Sequence, residues 1–83
     1  MNGREIIKDI MNKEGKKNAE VAYSLGISQA ALWDRLNNKK VKDIPLSLLV
    51  SMLRVLNYKV VIVPRNAKVP QDSYVVEQRA EGE

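Results

Sequence analysis

Ile6, Ile7, Ile10 and Met11 recur at helical spacing between polar residues, so residues 3–14 are predicted to form an amphipathic helix that stops at Gly15. The polar stretch Lys16-Lys17-Asn18 follows. Asn18 suits the N-cap of a short second helix over 19–25, with Val21, Ala22 and Leu25 on its inner side and Glu20 placed to favour the helix dipole. Gly26 ends that helix, Ile27 follows, and Ser28 caps a third helix over 29–37, in which Leu32 and Leu36 make an i, i+4 apolar pair. Past Asn37 and Asn38, a polar basic loop over 39–43 leads to Pro45, which opens a fourth helix through about Leu56.

In the fourth helix, Leu46, Leu48, Leu49, Val50, Met52, Leu53, Val55 and Leu56 are too many for one stripe. A helix apolar nearly all round needs cover on more than one side, here from its own domain and from a partner subunit. After Asn57 the pattern changes to a β-branched run closed by Pro64, which predicts a strand over 58–64. Its one possible partner within the chain, residues 73–77, is short and lies beyond Pro64 and Pro70, a poor arrangement for a tight hairpin. The strand is therefore expected to pair antiparallel with its copy in a second subunit. Leu53, Leu56, Tyr58, Val60, Val61, Ile62 and Val63 would form that dimer interface. The expected fold class is mainly α, α+β by label: a four-helix domain with a C-terminal dimerising strand over residues 1–64. A polar acidic tail with a disordered end would fill 65–83.

A chain of 83 residues has room for one small domain. Cysteine and histidine are both absent, so disulfides and the usual zinc ligands are missing, and dimerisation is the remaining common source of stability. The same absences remove the commonest general base and the thiolate nucleophile. Gly3, Gly15, Gly26 and Gly82 are isolated and form no phosphate-cradling loop. The chain is thus expected not to be an enzyme, and no cofactor, metal or small-molecule substrate is expected. No apolar run approaches a membrane span and residues 1–5 lack the apolar core of a signal peptide, so the expected location is cytoplasmic, without a membrane partner. The net charge of +4 is unevenly placed: in residues 1–68, 13 Lys and Arg face 6 acids, a net +7, whereas in 69–83 Arg79 faces Asp72, Glu77, Glu81 and Glu83, a net −3. A basic body is what a polyanion partner requires.

The second and third helices carry a denser signal, Asn18-Ala19-Glu20-Val21-Ala22-Tyr23-Ser24-Leu25-Gly26-Ile27-Ser28-Gln29-Ala30-Ala31-Leu32-Trp33-Asp34-Arg35-Leu36-Asn37. Ala22 is small where the third helix must cross closely, and Gly26 takes a left-handed turn without a Cβ clash. Leu25, Ile27 and Leu32 fill the angle between the helices. This stretch resembles the helix-turn-helix of the Xre/Cro/CI (lambda-repressor-like) DNA-binding family, and the resemblance covers about residues 3–57. It departs from the family at Arg35, where an apolar residue usually precedes the position of Leu36; a shift of the inner face by one position would move the contact assignments with it.

The resemblance implies that the third helix lies in the major groove, with Ser28, Gln29, Ala30, Trp33 and Asp34 at the base edges. Gln29 is the strongest candidate, since a glutamine amide pairs bidentately with adenine. Trp33 contacts thymine methyls or sugar, or else covers the edge of the domain half-buried. Asp34 accepts from a cytosine amino group or pairs with a nearby lysine. Lys16, Lys17, Asn18, Asn37, Asn38, Lys39, Lys40 and Lys42 flank that helix on both sides, where phosphates would be held.

The expected function is a sequence-specific transcriptional regulator of bacterial or phage repressor type, a homodimer on double-stranded DNA at a short palindromic operator. The rival is a protein-binding module on the same scaffold, such as a phage inhibitor of a host enzyme or an antitoxin, which Trp33 and Asp34 would suit better than a phosphate-rich groove.

Overall fold

The structure is a computed structural model and describes residues 1–40 and 43–76. Four helices follow one another: α1 (Gly3–Glu14), α2 (Asn18–Leu25), α3 (Gln29–Asn37) and α4 (Leu46–Val55). Each start has a local cause. Asn2 and Glu5 form a capping box on α1, the Asn2 side chain accepting from the Glu5 N–H at 2.9 Å and Glu5 accepting from the Asn2 N–H at 3.0 Å. Ser28 Oγ accepts from the Ala31 N–H at 3.0 Å and caps α3. Asn18, the expected cap of α2, is instead its first helical residue; Lys17 holds the N-cap position. An ammonium has no acceptor to offer, so only the reverse half of a box forms, from the Lys17 N–H to Glu20 at 3.1 Å. Helix α4 begins one residue later than expected, with Pro45 outside it.

Three of the helices end alike. The N–H of Lys16, Ile27 and Tyr58 reaches back to the carbonyl of Met11, Ala22 and Leu53 at 2.8, 3.0 and 2.8 Å, around a left-handed residue at Gly15, Gly26 and Asn57. This is the Schellman closure, which satisfies the last carbonyls of a helix. Asn57, at φ 66°, is the one non-glycine with positive φ among the described residues, and asparagine is a residue that tolerates it.

The core gathers Ile6, Ile7, Ile10 and Met11 of α1, Val21 and Ala22 of α2, Leu32 and Leu36 of α3, Ile44, and Leu49, Met52, Leu53 and Leu56 at α4. Helices α1 and α2 each pack on both α3 and α4. The loop before α4 is tied to α1 by Asp43, whose carboxylate accepts from the N–H groups of Gly3, Arg4 and Ile44 at 3.1, 3.2 and 2.7 Å. It therefore supplies acceptors for the first amides of α1, which no residue of that helix can satisfy.

The C-terminal half departs from expectation. No β-strand occurs among the described residues, so the fold is a four-helix bundle and not α+β, and the dimerising strand over 58–64 is overturned. Val60, Val61, Ile62 and Val63 run outside the helices, exposed, with Ile62 90% accessible. Leu53 and Leu56, assigned to the same interface, are buried in the chain's own core, and Tyr58 packs half-buried against it. The excess apolar positions of α4 divide likewise: Leu48 and Val55 are half-buried, whereas Leu46 and Val50 stay exposed. β-branched composition makes a strand favourable only where a neighbouring backbone completes the ladder, and here none does.

The other expected strand, 73–77, is not one over its described residues, and Glu77 lies outside them. Turns closed by Ala67 N–H to Pro64 O at 3.0 Å and Ser73 N–H to Pro70 O at 3.1 Å bring residues 73–76 back to α1. There Tyr74 packs against the core and its hydroxyl donates to Asp9 at 2.6 Å. The Asp9 carboxylate, by accepting that proton, pushes the Tyr74 phenol up to about 12, with desolvation adding to it. Because the folded value lies above the ordinary 10.0, this contact's contribution to stability is complete below pH 10 and drains as pH rises from 10 towards 12. Titration by ultraviolet absorbance is expected to show one tyrosine ionising near 12, and Asp9→Asn should return it towards 10.0. A titration curve unchanged by Asp9→Asn would rule out the Tyr74–Asp9 hydrogen bond.

Candidate nucleic-acid interface

Helices α2 and α3 are joined by a tight turn whose geometry rests on one left-handed residue and two hydrogen bonds. Gly26 takes φ 71° and ψ 30°, Ile27 closes back on Ala22, and the Asn18 side-chain amide donates to the Gln29 carbonyl at 3.2 Å. The last contact ties the start of α2 to the start of α3. Asn18 was expected to cap its own helix or meet a phosphate; an amide nitrogen carries two N–H donors, and one of them is used within the chain.

With Leu32 and Leu36 turned into the core, α3 presents Gln29, Ala30, Trp33 and Asp34 to solvent beside the exposed cap Ser28. Arg35, where the sequence departs from the family pattern, is half-buried, and the buried pair remains Leu32 with Leu36. Trp33 is 60% accessible and stands out from the surface instead of sealing the domain edge. The Asp34 carboxylate accepts from the Asn38 amide at 3.0 Å, one turn on.

The two asparagines at the end of α3 are engaged similarly. Asn37 donates to the Trp33 carbonyl at 2.9 Å, and Asn38, besides holding Asp34, accepts the Lys40 N–H at 2.9 Å. They shape the exit of α3, each with one amide donor remaining. Lys16, Lys17, Lys39 and Lys40 are exposed, while Lys42 lies outside the described residues. The surface around α3 thus combines an outward face without internal duties, at Gln29, Ala30 and Trp33, with flexible cationic side chains before α2 and after α3.

Two further features were missed by sequence reasoning. Tyr23, on α2, is 86% accessible, the most exposed aromatic residue of the helices. Asp43 joins the basic loop to α1, through partners about forty residues away in sequence that no local pattern reveals.

Among the described residues, no group of three or more His, Cys, Asp or Glu could hold a metal ion, and no helix is long and apolar enough to cross a membrane. Comparison of the chain with protein-family models, with curated proteins and with solved structures finds no match in any of the three.

Proposed function

We propose that the chain binds double-stranded DNA through α3 as a sequence-specific transcriptional regulator of helix-turn-helix type, acting as a homodimer on a palindromic operator. The observation that carries this reading is the α2–Gly26–α3 unit: two short helices locked at a left-handed turn, with the N-terminal half of the second presenting a solvent-facing row at Ser28, Gln29, Ala30, Trp33 and Asp34. The exposed lysines on either side suit phosphates, which position such a protein without reading sequence. Selection of bound sites from a randomised duplex pool tests the reading; an enriched palindrome is expected, and a pool without enrichment would end it.

Two substitutions separate the roles. The side chain of Gln29 makes no hydrogen bond among the described residues, and its carbonyl serves Asn18, so Gln29→Ala should leave the fold intact. It should cost about 1–3 kcal/mol on the selected operator and relax preference at one base pair per half-site. Lys40→Ala should weaken all sequences alike and lower the salt slope by about one unit. Binding isotherms on matched and mismatched duplexes at several salt concentrations give both results, and a uniform loss for both variants would remove Gln29 as a base reader.

The exposed pair of aromatics, Trp33 and Tyr23, favours a second reading, a protein-binding module on the same scaffold such as an inhibitor or antitoxin. Its mark is weak dependence of duplex binding on salt, where the first reading requires a steep one.

A further inference from the structure

The chain's charge is split between a basic body and an acidic stretch after residue 68, and the fold determines where that stretch leaves the body. Tyr74 is held on α1 by Asp9, and one residue further the Val75 carbonyl accepts from the Met1 ammonium at 3.4 Å. Residues 74–75 therefore lie along α1 to its N-terminal end. Asp43 brings the basic loop to that same end, through Gly3 and Arg4. Lys40 is three residues before Asp43, so at most about 11 Å of extended chain separates them.

The two carboxylates at the corner are engaged by backbone N–H groups. The Asp43 carboxylate is occupied by three N–H donors and the Glu5 carboxylate accepts from Asn2. Arg4, half-buried, has Nε and Nη2 shielded from solvent and without an acceptor among the described residues. A shielded guanidinium nitrogen without an acceptor is costly, and turning the half-buried Arg4 side chain outward to meet a carboxylate relieves that cost. Lys39 and Lys40 are exposed on the loop that Asp43 ties to this end of α1, and Lys42 follows in the sequence. From this corner the sequence continues through Glu77, Glu81 and Glu83, and seven residues extend up to about 25 Å.

We propose that Glu77, Glu81 and Glu83 occupy this basic corner at Arg4, Lys39 and Lys40 intramolecularly and compete there with the phosphates of bound DNA. The competitor rests on the DNA-binding reading above; the contact between the acidic stretch and the corner does not. Tethering makes a weak contact effective, since a short linker holds the carboxylates at a millimolar local concentration, and salt weakens it as it weakens any ion pairing at a surface.

The test compares the full chain with the triple variant Glu77→Gln, Glu81→Gln, Glu83→Gln in two measurements. Amide NMR spectra at low salt are expected to shift at Arg4, Lys39 and Lys40, remote in sequence from the changes. The affinity for a random-sequence duplex at low salt is expected to rise about three- to tenfold, beyond three times the free-energy effect of Glu14→Gln, which removes one exposed carboxylate without a hydrogen bond among the described residues, and to converge at high salt. Shifts confined to residues near 77–83 overturn the contact. Shifts at the corner with a duplex affinity no better than the control overturn the competition. If neither protein binds duplex while the corner shifts, the DNA reading falls and the intramolecular contact stands.

Discussion

Leu32→Ala is expected to be the most damaging single substitution in this chain, costing about 2–5 kcal/mol. Leu32 is fully buried where α3 packs against α1 and α2, so truncation removes its apolar contacts and leaves a cavity that three helices would have to move to fill. A domain of this size holds on the order of 5 kcal/mol in total, so the variant should be largely unfolded near 37 °C. Urea denaturation followed by circular dichroism measures the loss. Trp33→Ala, at the adjacent but 60% accessible position, serves as the contrast and should change stability by no more than about 0.5 kcal/mol. Equal losses at the two positions would mean that the inner and outer faces of α3 are wrongly assigned.

Gly26→Val should cost about 1–3 kcal/mol by a different route. A Cβ built on Gly26 meets no atom within 4 Å, so that atom is not crowded and the expected penalty comes from forcing a β-branched residue to φ 71°. Relief of that strain means reopening the turn, which would release the Ile27 closure onto Ala22 and the Asn18 tie to Gln29, and with them the angle of α3. Both the melting temperature and affinity for a selected operator should therefore fall. Gly26→Asn is the control, because the chain already uses Asn57 at φ 66° for the same closure after α4, and it should retain most of the stability. A melting temperature unchanged in Gly26→Val would contradict the turn.

Much of the candidate interface was legible because its signals are local. The stripe at Leu32 and Leu36 decides which side of α3 is hidden, and the outward positions of Gln29, Ala30, Trp33 and Asp34 follow from the helical repeat. What these side chains and their neighbours bond to was less legible. Asn18, Asn37 and Asn38 look alike in sequence as polar residues beside a helix, yet one ties α2 to α3 and the others fasten the exit of α3. The choice among solvent, backbone and a neighbouring side chain turns on distances of a few tenths of an ångström, which composition does not encode.

The sequence by itself determined the four helices, their stops at Gly15, Gly26 and Asn57, and most of the core, since helix capping, left-handed turns and i, i+4 stripes act within one or two turns of chain. Tertiary structure alone decided the rest. Val60, Val61, Ile62 and Val63 have the composition of a strand, but a ladder needs a second backbone, and residues 73–76 are instead drawn to α1, where Tyr74 gains both core packing and the Asp9 carboxylate. Asp43 reads as the end of a basic loop and becomes the acceptor for the first amides of α1. In each case the deciding partner lies some forty to sixty-five residues away, so its identity depends on which surfaces the folded helices bring together and not on any preference of the local segment.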